Sequence, residues 1–173
     1  MRLGTRDGMG IADKARRMVR RGANLYDSMT VVGEVDIVLF GEDGRVKQKR
    51  NVKNLVVTTG RDAIMERLDS SPATAQPSHM EIGSDSTAVA AGNTALGTAI
   101  DRNALTSSTA SGAVLTMVAN WAAGDGTSAD IEEAGVFNNA AGGTMYSRAT
   151  FTTINKGAND TLQITWTYTL TPS

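Results

Sequence analysis

The chain has 173 residues, no cysteine, a single histidine and a formal net charge of −1 at pH 7. The lack of cysteine excludes disulfides, thiolate metal sites and cysteine nucleophiles, and one histidine argues against a histidine-based zinc site or a Ser-His pair. The length fits one domain plus an appendage, and 18 glycines are typical of a loop-rich β domain. No apolar run approaches the ~18 residues of a membrane span, and the N-terminus lacks the apolar stretch of a secretory signal peptide.

Charge is distributed unevenly along the chain. Residues 1–22 contain seven arginine or lysine residues and two aspartates, whereas residues 54–173 contain five basic and eleven acidic residues. A short helix is predicted over residues 11–21, and a helix of this length needs a surface to pack against. We therefore predict a basic N-terminal arm, residues 1–30, before a β domain, residues 31–173. The pattern favours docking of the arm on an acidic protein surface over binding of nucleic acid.

A β-hairpin is the first regular structure that the sequence predicts. Residues 23–33 have the composition of a linker, and Glu34–Phe40 follow as a strand. The Asp43-Gly44 pair is a strong hairpin signal, so the very basic residues 45–50 are expected to pair back on the first strand.

The middle of the chain is predicted to hold short elements. Asn54–Gly60 reads as a strand and Arg61–Leu68 as a short helix. His79–Gly83 reads as another strand, and residues 95–105 as either a helical turn or a short strand. The expected buried side of the helix consists of Ala63, Ile64, Met65 and Leu68.

The last third of the chain is the most strongly patterned. Strands are predicted over residues 113–121, 131–138, 144–153 and 161–170, separated by clusters of glycine, asparagine and aspartate. In the last of them, ten residues alternate strictly between apolar and polar. The apolar face consists of Leu162, Ile164, Trp166, Tyr168 and Leu170, and the opposite face is mostly threonine.

These elements predict an all-β protein with one short helix after the third strand. Seven or eight strands come in bursts and do not alternate with long helices, which excludes a parallel α/β sheet. The spacing of turns favours an antiparallel β-sandwich of jelly-roll-like type, preceded by the extended basic arm with its own short helix.

The residues that could take part in catalysis or ligand binding are better explained by structural roles. The acidic stretch Asp125, Asp130, Glu132 and Glu133 does not match the spacing of an EF-hand, so turn chemistry and a solvated strand start are preferred. His79 has no neighbouring acid or nucleophile elbow and is expected to be a partly buried structural histidine. We therefore expect no enzyme activity, no metal and no cofactor. Trp121, Trp166, Tyr146 and Tyr168 favour core or interface anchors over a carbohydrate platform.

Six short blocks carry a resemblance to a known group of proteins. They are NLVVTTGRDAI (54–64), HMEIGSDSTA (79–88), TALG (94–97), IEEAGVFN (131–138), GTMYSRATF (143–151) and TLQITW (161–166). Together they resemble small virion structural proteins of tailed bacteriophages, over about residues 50–170. The arm lies outside this resemblance.

The resemblance implies a location in the virion, after assembly in the cytoplasm of a host bacterium, and no contact with a membrane. It implies most directly a capsid decoration (cement) protein that binds the major capsid protein and self-associates as a dimer or trimer. The residues expected to grip the capsid are Arg16, Arg17, Met18, Val19, Arg20 and Arg21. Self-association is assigned to the threonine face of the last strand with Trp121 and Tyr146. Two alternatives remain, a tail, neck, baseplate or fibre-anchoring protein and a host-surface glycan-binding module.

Overall fold

Nine strands and one short helix form the part of the chain that the structure, a computed structural model, describes, which is residues 28–172. The strands are β1 (Met29–Phe40), β2 (Val46–Lys53), β3 (Leu55–Val56), β4 (His79–Gly83), β5 (Ala99–Ser111), β6 (Val114–Trp121), β7 (Ser128–Phe137), β8 (Met145–Lys156) and β9 (Thr161–Pro172). Helix α1 spans Thr58–Glu66. The prediction of a mostly antiparallel all-β fold with one short helix after the third strand is confirmed.

The strands form one sheet in the order β2-β1-β9-β6-β5-β4-β7-β8-β3. The long strand β5 belongs to both halves of it, because residues 99–104 pair with β4 and residues 105–111 pair with β6. We call β2, β1, β9, β6 and the second half of β5 the A layer. The first half of β5 with β4, β7, β8 and β3 is the B layer. The two layers enclose one core, as the sandwich prediction required.

The sheet is nearly closed, because the edge of β2 comes close to β8. Arg50 joins these two strands. Its Nε donates to the hydroxyl of Thr152 at 2.7 Å, and its second guanidinium nitrogen donates to the carbonyl of Thr153 at 3.1 Å. Beside it, Lys47 Nζ lies 2.7 Å from a carboxylate oxygen of Asp160. Side chains thus connect β2 with β8 and the turn that follows it, where the sheet nearly closes.

The core follows the alternation of the strands. Period-2 spacing sends every second side chain inward, which buries apolar residues from both layers. The A layer contributes Val35, Ile37, Leu39, Met117, Ala119, Trp121, Leu162, Ile164, Trp166 and Tyr168, and the B layer contributes Met80, Ile82, Ile131, Ala134, Val136, Ala149, Phe151 and Ile154. The hydroxyls of Tyr168 and Ser147 hydrogen-bond to each other between the layers. Leu170, the last residue of the predicted apolar face, is 40% exposed at the end of β9.

The first hairpin forms as predicted, but its first strand is longer than expected. The Gly44 amide donates to the carbonyl of Gly41 at 2.8 Å, and Gly44 has the positive φ of +73° that the turn requires. Strand β1 begins at Met29, so the prediction of a linker over residues 23–33 is wrong from Met29 onward. Gly33 interrupts the alternation of apolar and polar residues there, and its missing side chain leaves room for Asn54.

Helix α1 begins three residues earlier than predicted and replaces most of a predicted strand. The strand expected over Asn54–Gly60 is reduced to Leu55–Val56. A Cβ at Gly60 would lie 2.0 Å from the carbonyl oxygen of Tyr146, so the helix rests directly on the backbone of β8. The prediction that Met65 and Leu68 are buried is wrong, because they are 63% and 80% exposed. Only Gly60 and Ala63 of the helix are buried.

Candidate interaction surfaces

The predicted contact residues fall into two groups. Arg16, Arg17, Met18, Val19, Arg20 and Arg21, like most of the predicted arm, lie outside the described residues. Trp121 and Tyr146 lie inside them, with 0% and 1% of their surfaces exposed.

The structure corrects the placement of these two aromatic residues. Trp121 ends β6 opposite Leu162, while Tyr146 lies in β8, four strands away in the sheet order. The Tyr146 hydroxyl donates to the carbonyl of Ala75 at 2.8 Å and so fixes the loop after α1. Neither ring reaches the surface, so neither can contact a second copy or a glycan in this structure. Trp166 and Tyr168 are also in the core, so these four side chains form no exposed aromatic platform.

Glu133 is the centre of a buried polar cluster on the outer face of the B layer. Its carboxylate accepts a hydrogen bond from Arg148 Nε at 2.8 Å. It also accepts the backbone amides of Thr98 at 2.9 Å and Gly97 at 3.2 Å. The expectation that Glu133 lies at a solvated strand start is therefore wrong, because the loop between β4 and β5 covers it.

Arg148 extends the cluster to the other end of the same loop. Its guanidinium lies 3.2 Å from a carboxylate oxygen of Asp85 and 3.3 Å from the amide oxygen of Asn93. Hydrogen bonds from the hydroxyl and amide of Thr87, with a smaller contribution from Arg148, hold the pKa of Asp85 below its ordinary value. Residues 84–98, which we call the cover loop, are thereby fixed at both ends.

An apolar contact completes the attachment of the cover loop. Leu96 is buried in a small second cluster with Val57, Phe137 and Met145. A Cβ at Gly135 of β7 would come within 3.0 Å of Leu96, so glycine at this position lets the loop lie flat on the sheet. Gly135 thus provides space for a leucine from above.

Arg102 fixes a second loop on the same face. It pairs with Glu81 through two nitrogens, at 2.9 Å and 3.2 Å, and stacks 3.8 Å above the centre of the Phe137 ring. It also donates to the carbonyls of Asn139 and Gly142 in the loop between β7 and β8. The buried charges of this face pair with one another inside the protein, which is the chemistry of a structural cluster.

The described residues contain no group of three or more histidines, aspartates or glutamates that could hold a metal ion. His79 is half-buried, and its Nδ1 lies 2.8 Å from the hydroxyl of Ser78. This position agrees with the structural role predicted for it.

The outer face of the A layer has a different composition. Residues 103–121 and 161–172 contain no charged side chain and no histidine. Thr165, Thr167 and Thr169 of β9 are partly exposed on this face. A chain of side-chain hydrogen bonds crosses it, from Gln163 to Asn120 and from Asn120 to the hydroxyl of Thr106, each at 3.0 Å. We call the outer residues of β6, of β9 and of the second half of β5 the uncharged face.

Charge returns on the neighbouring strands of the A layer. Glu34 of β1 stands opposite Lys53 of β2. Asp36 accepts a hydrogen bond from Asn51 at 3.0 Å and lies 3.7 Å from Lys49. The basic strand that the sequence predicted is thus partly compensated by acidic residues of β1, and β1 separates it from the uncharged face.

The fold and these surfaces define the class of the molecule, an antiparallel β domain with one covered and one uncovered outer face. Comparisons with protein-family models, with curated proteins and with solved structures found no match for this chain. Within residues 28–172, no helix has the length and apolar content that crossing a membrane requires.

Proposed function

We propose that this chain is a structural protein of a tailed-phage virion, and that it decorates the capsid by binding and stabilising the shell of the major capsid protein. The observation that carries the proposal is the uncharged face, the outer surface of β6, β9 and the second half of β5, which has no charged side chain and no histidine. The six sequence blocks that resemble small phage virion proteins support the same proposal.

Physical reasons connect an uncharged face with a role in assembly. The centres of protein interfaces are depleted of charged residues, because each charge loses its hydration when a partner covers it. Threonine, asparagine and glutamine can exchange hydrogen bonds with water for hydrogen bonds with a partner at small cost. Many copies of a weak contact on a closed shell then bind far more tightly than one copy alone.

The basic sequence before the β domain supplies the second contact of the proposal. Arg16, Arg17, Arg20 and Arg21 would pair with acidic side chains of the major capsid protein, with Met18 and Val19 packing beside them. Deletion of residues 1–22 tests this contact. We expect the truncated protein to keep the circular dichroism spectrum of the β domain but to lose binding to expanded capsids. Full capsid binding by the truncated protein would contradict the role of the arm.

The copy number per particle tests the assignment itself. Densitometry of purified particles against the major capsid protein should give one copy per capsid subunit or a simple fraction of it. A count of a few to a few dozen copies would instead assign the chain to the tail, neck or baseplate. Absence of the chain from purified particles would refute a virion role altogether.

A further inference from the structure

The second half of β5 is a strand edge without a partner in the described residues. Residues 99–104 of β5 pair with β4, and the pairing ends where the Leu105 amide donates to Ser78. Residues 107–111 pair only with β6. In an antiparallel ladder, alternate residues direct their N–H and C=O groups to opposite edges. Alternate backbone groups of residues 106–111 therefore face away from β6 with no described strand beside them.

This segment is also uncovered on both of its faces. Every residue from Thr106 to Ala113 is exposed, on the side of the core as well as on the outside. The segment reads Thr-Ser-Ser-Thr-Ala-Ser, so it has small side chains, no proline and no charge. We call residues 106–111 the β5 edge.

Strand edges on protein surfaces are normally protected. Lysine, proline, a covering loop or very short length keeps them from pairing with other chains. This protein uses such devices at the ends of its sheet. The exposed side chains of β2 include Lys47 and Lys49, Arg50 bridges that strand to β8, and β3 is only two residues long. The β5 edge has none of these features, although its six residues span about 20 Å.

We propose that the β5 edge pairs with the β5 edge of a second copy, around a two-fold axis, so that the A layers of two copies form one continuous sheet. Antiparallel pairing around an axis at Thr109 would place Ser107 opposite Ser111 and Ser108 opposite Ala110. Every cross-strand pair is then formed by small, uncharged side chains. A partner strand with acidic or basic side chains would match this edge less well. The remainder of the β domain is acidic. Because the β5 edge is uncharged, two copies can pair there without bringing like charges together.

The inference depends on the geometry of the edge and not on the proposed role in a virion. Purified protein is enough to test it, so its failure leaves the copy-number experiment untouched and the reverse also holds. Light scattering of the full chain across a dilution series should show a dimer in equilibrium with a monomer. A protein that stays monomeric at every concentration would overturn the inference.

A matched pair of substitutions tests the edge itself. Thr109→Lys places two like charges across the axis and should raise the dissociation constant of the dimer about tenfold or more. Thr109→Val keeps a neutral β-branched side chain and should leave the dimer intact. Circular dichroism checks that both variants are folded. A dimer that survives Thr109→Lys with unchanged affinity would show that the copies meet elsewhere.

The absence of cysteine from the chain permits a direct test that needs no destabilising substitution. Thr109→Cys should form a disulfide-linked dimer under mild oxidation, visible on a non-reducing gel. Lys49→Cys, at another exposed strand position, on β2, is the matched control and should remain monomeric. Equal rates of crosslinking at both positions would indicate random collision and would also overturn the inference.

Discussion

The outer faces of the two layers differ in where they keep their charges. The B layer buries Glu133, Arg148 and Glu81 beneath loops, and each charge is satisfied by a neighbour of this same chain. The A layer, along β6 and β9, carries no charge and leaves threonine side chains partly exposed. The B face is therefore completed by loops of this chain, whereas no loop of the described residues covers the A face along β6 and β9.

The largest expected effect is at the centre of the covered face. Glu133→Ala leaves Arg148 buried without its closest carboxylate and frees three backbone amides of the cover loop. We expect a loss of about 3–5 kcal/mol in the free energy of unfolding, measured by urea denaturation. Glu132→Gln, at the neighbouring and partly exposed position, should change it by less than ~0.5 kcal/mol. Similar stability of the two variants would refute the importance of the buried pair.

A smaller effect is expected where the cover loop rests on the sheet. Leu96→Ala removes the apolar contact above Gly135 and leaves the polar cluster in place. The free energy of unfolding should fall by about 2 kcal/mol. Hydrogen exchange should accelerate in residues 84–98 more than in β6 or β9. Uniform acceleration throughout the domain would mean that the loop does not open as a separate unit.

Acid should loosen the cover loop before the rest of the domain. The folded-state pKa of Asp85 lies below its ordinary value of 3.8, so its ionised form stabilises the fold above that pH. This stabilisation is lost as the pH falls through the folded-state pKa, below about pH 4. Limited proteolysis between neutral and acidic pH should show cleavage within residues 84–98 first. Asp85→Asn should be more sensitive at neutral pH and show a smaller increase on acidification. A loop that stays protected in acid would contradict this assignment.

The smallest effect on stability is expected on the uncharged face. Thr165→Lys and Thr167→Lys introduce charge on a surface that packs against nothing in the described structure, so stability should change by less than about 1 kcal/mol. Capsid binding should nevertheless weaken strongly, because a partner would have to desolvate two lysines. Thr165→Val, which adds no charge, is the control. Normal binding by the double lysine variant would remove this face from the proposed contact.

Strands that are half buried could be predicted from the sequence, and for β9 the buried face could be predicted as well. Alternation in β9 placed Leu162, Ile164 and Trp166 on the apolar face, which meets the core. The second half of β5 gave no such pattern, since small polar residues are exposed on both of its faces. The sequence therefore predicted at most a short strand where 13 residues are extended.

The polar cluster could not be predicted for a different reason. Glu133 and Arg148 are 15 residues apart, and they meet only because β7 and β8 pair with Gly135 opposite Arg148. In the sequence, Glu133 follows Asp130 and Glu132 and looks like one of several surface acids. Trp121 and Tyr146 were interpreted as partner contacts because aromatic residues anchor cores and interfaces alike, and only the burial distinguishes the two.

The position of β1 beside β9 has a consequence for the way the chain folds in the cell. Strand β1 cannot pair with its second neighbour, β9, until β9 has left the ribosome. That happens about 120 residues later, at 5–20 residues per second. During those seconds the apolar row Val35, Ile37 and Leu39 has only the basic strand β2 beside it. Exposed lysines on the β2 edge then disfavour strand pairing between nascent chains, so the first hairpin is protected against aggregation during synthesis.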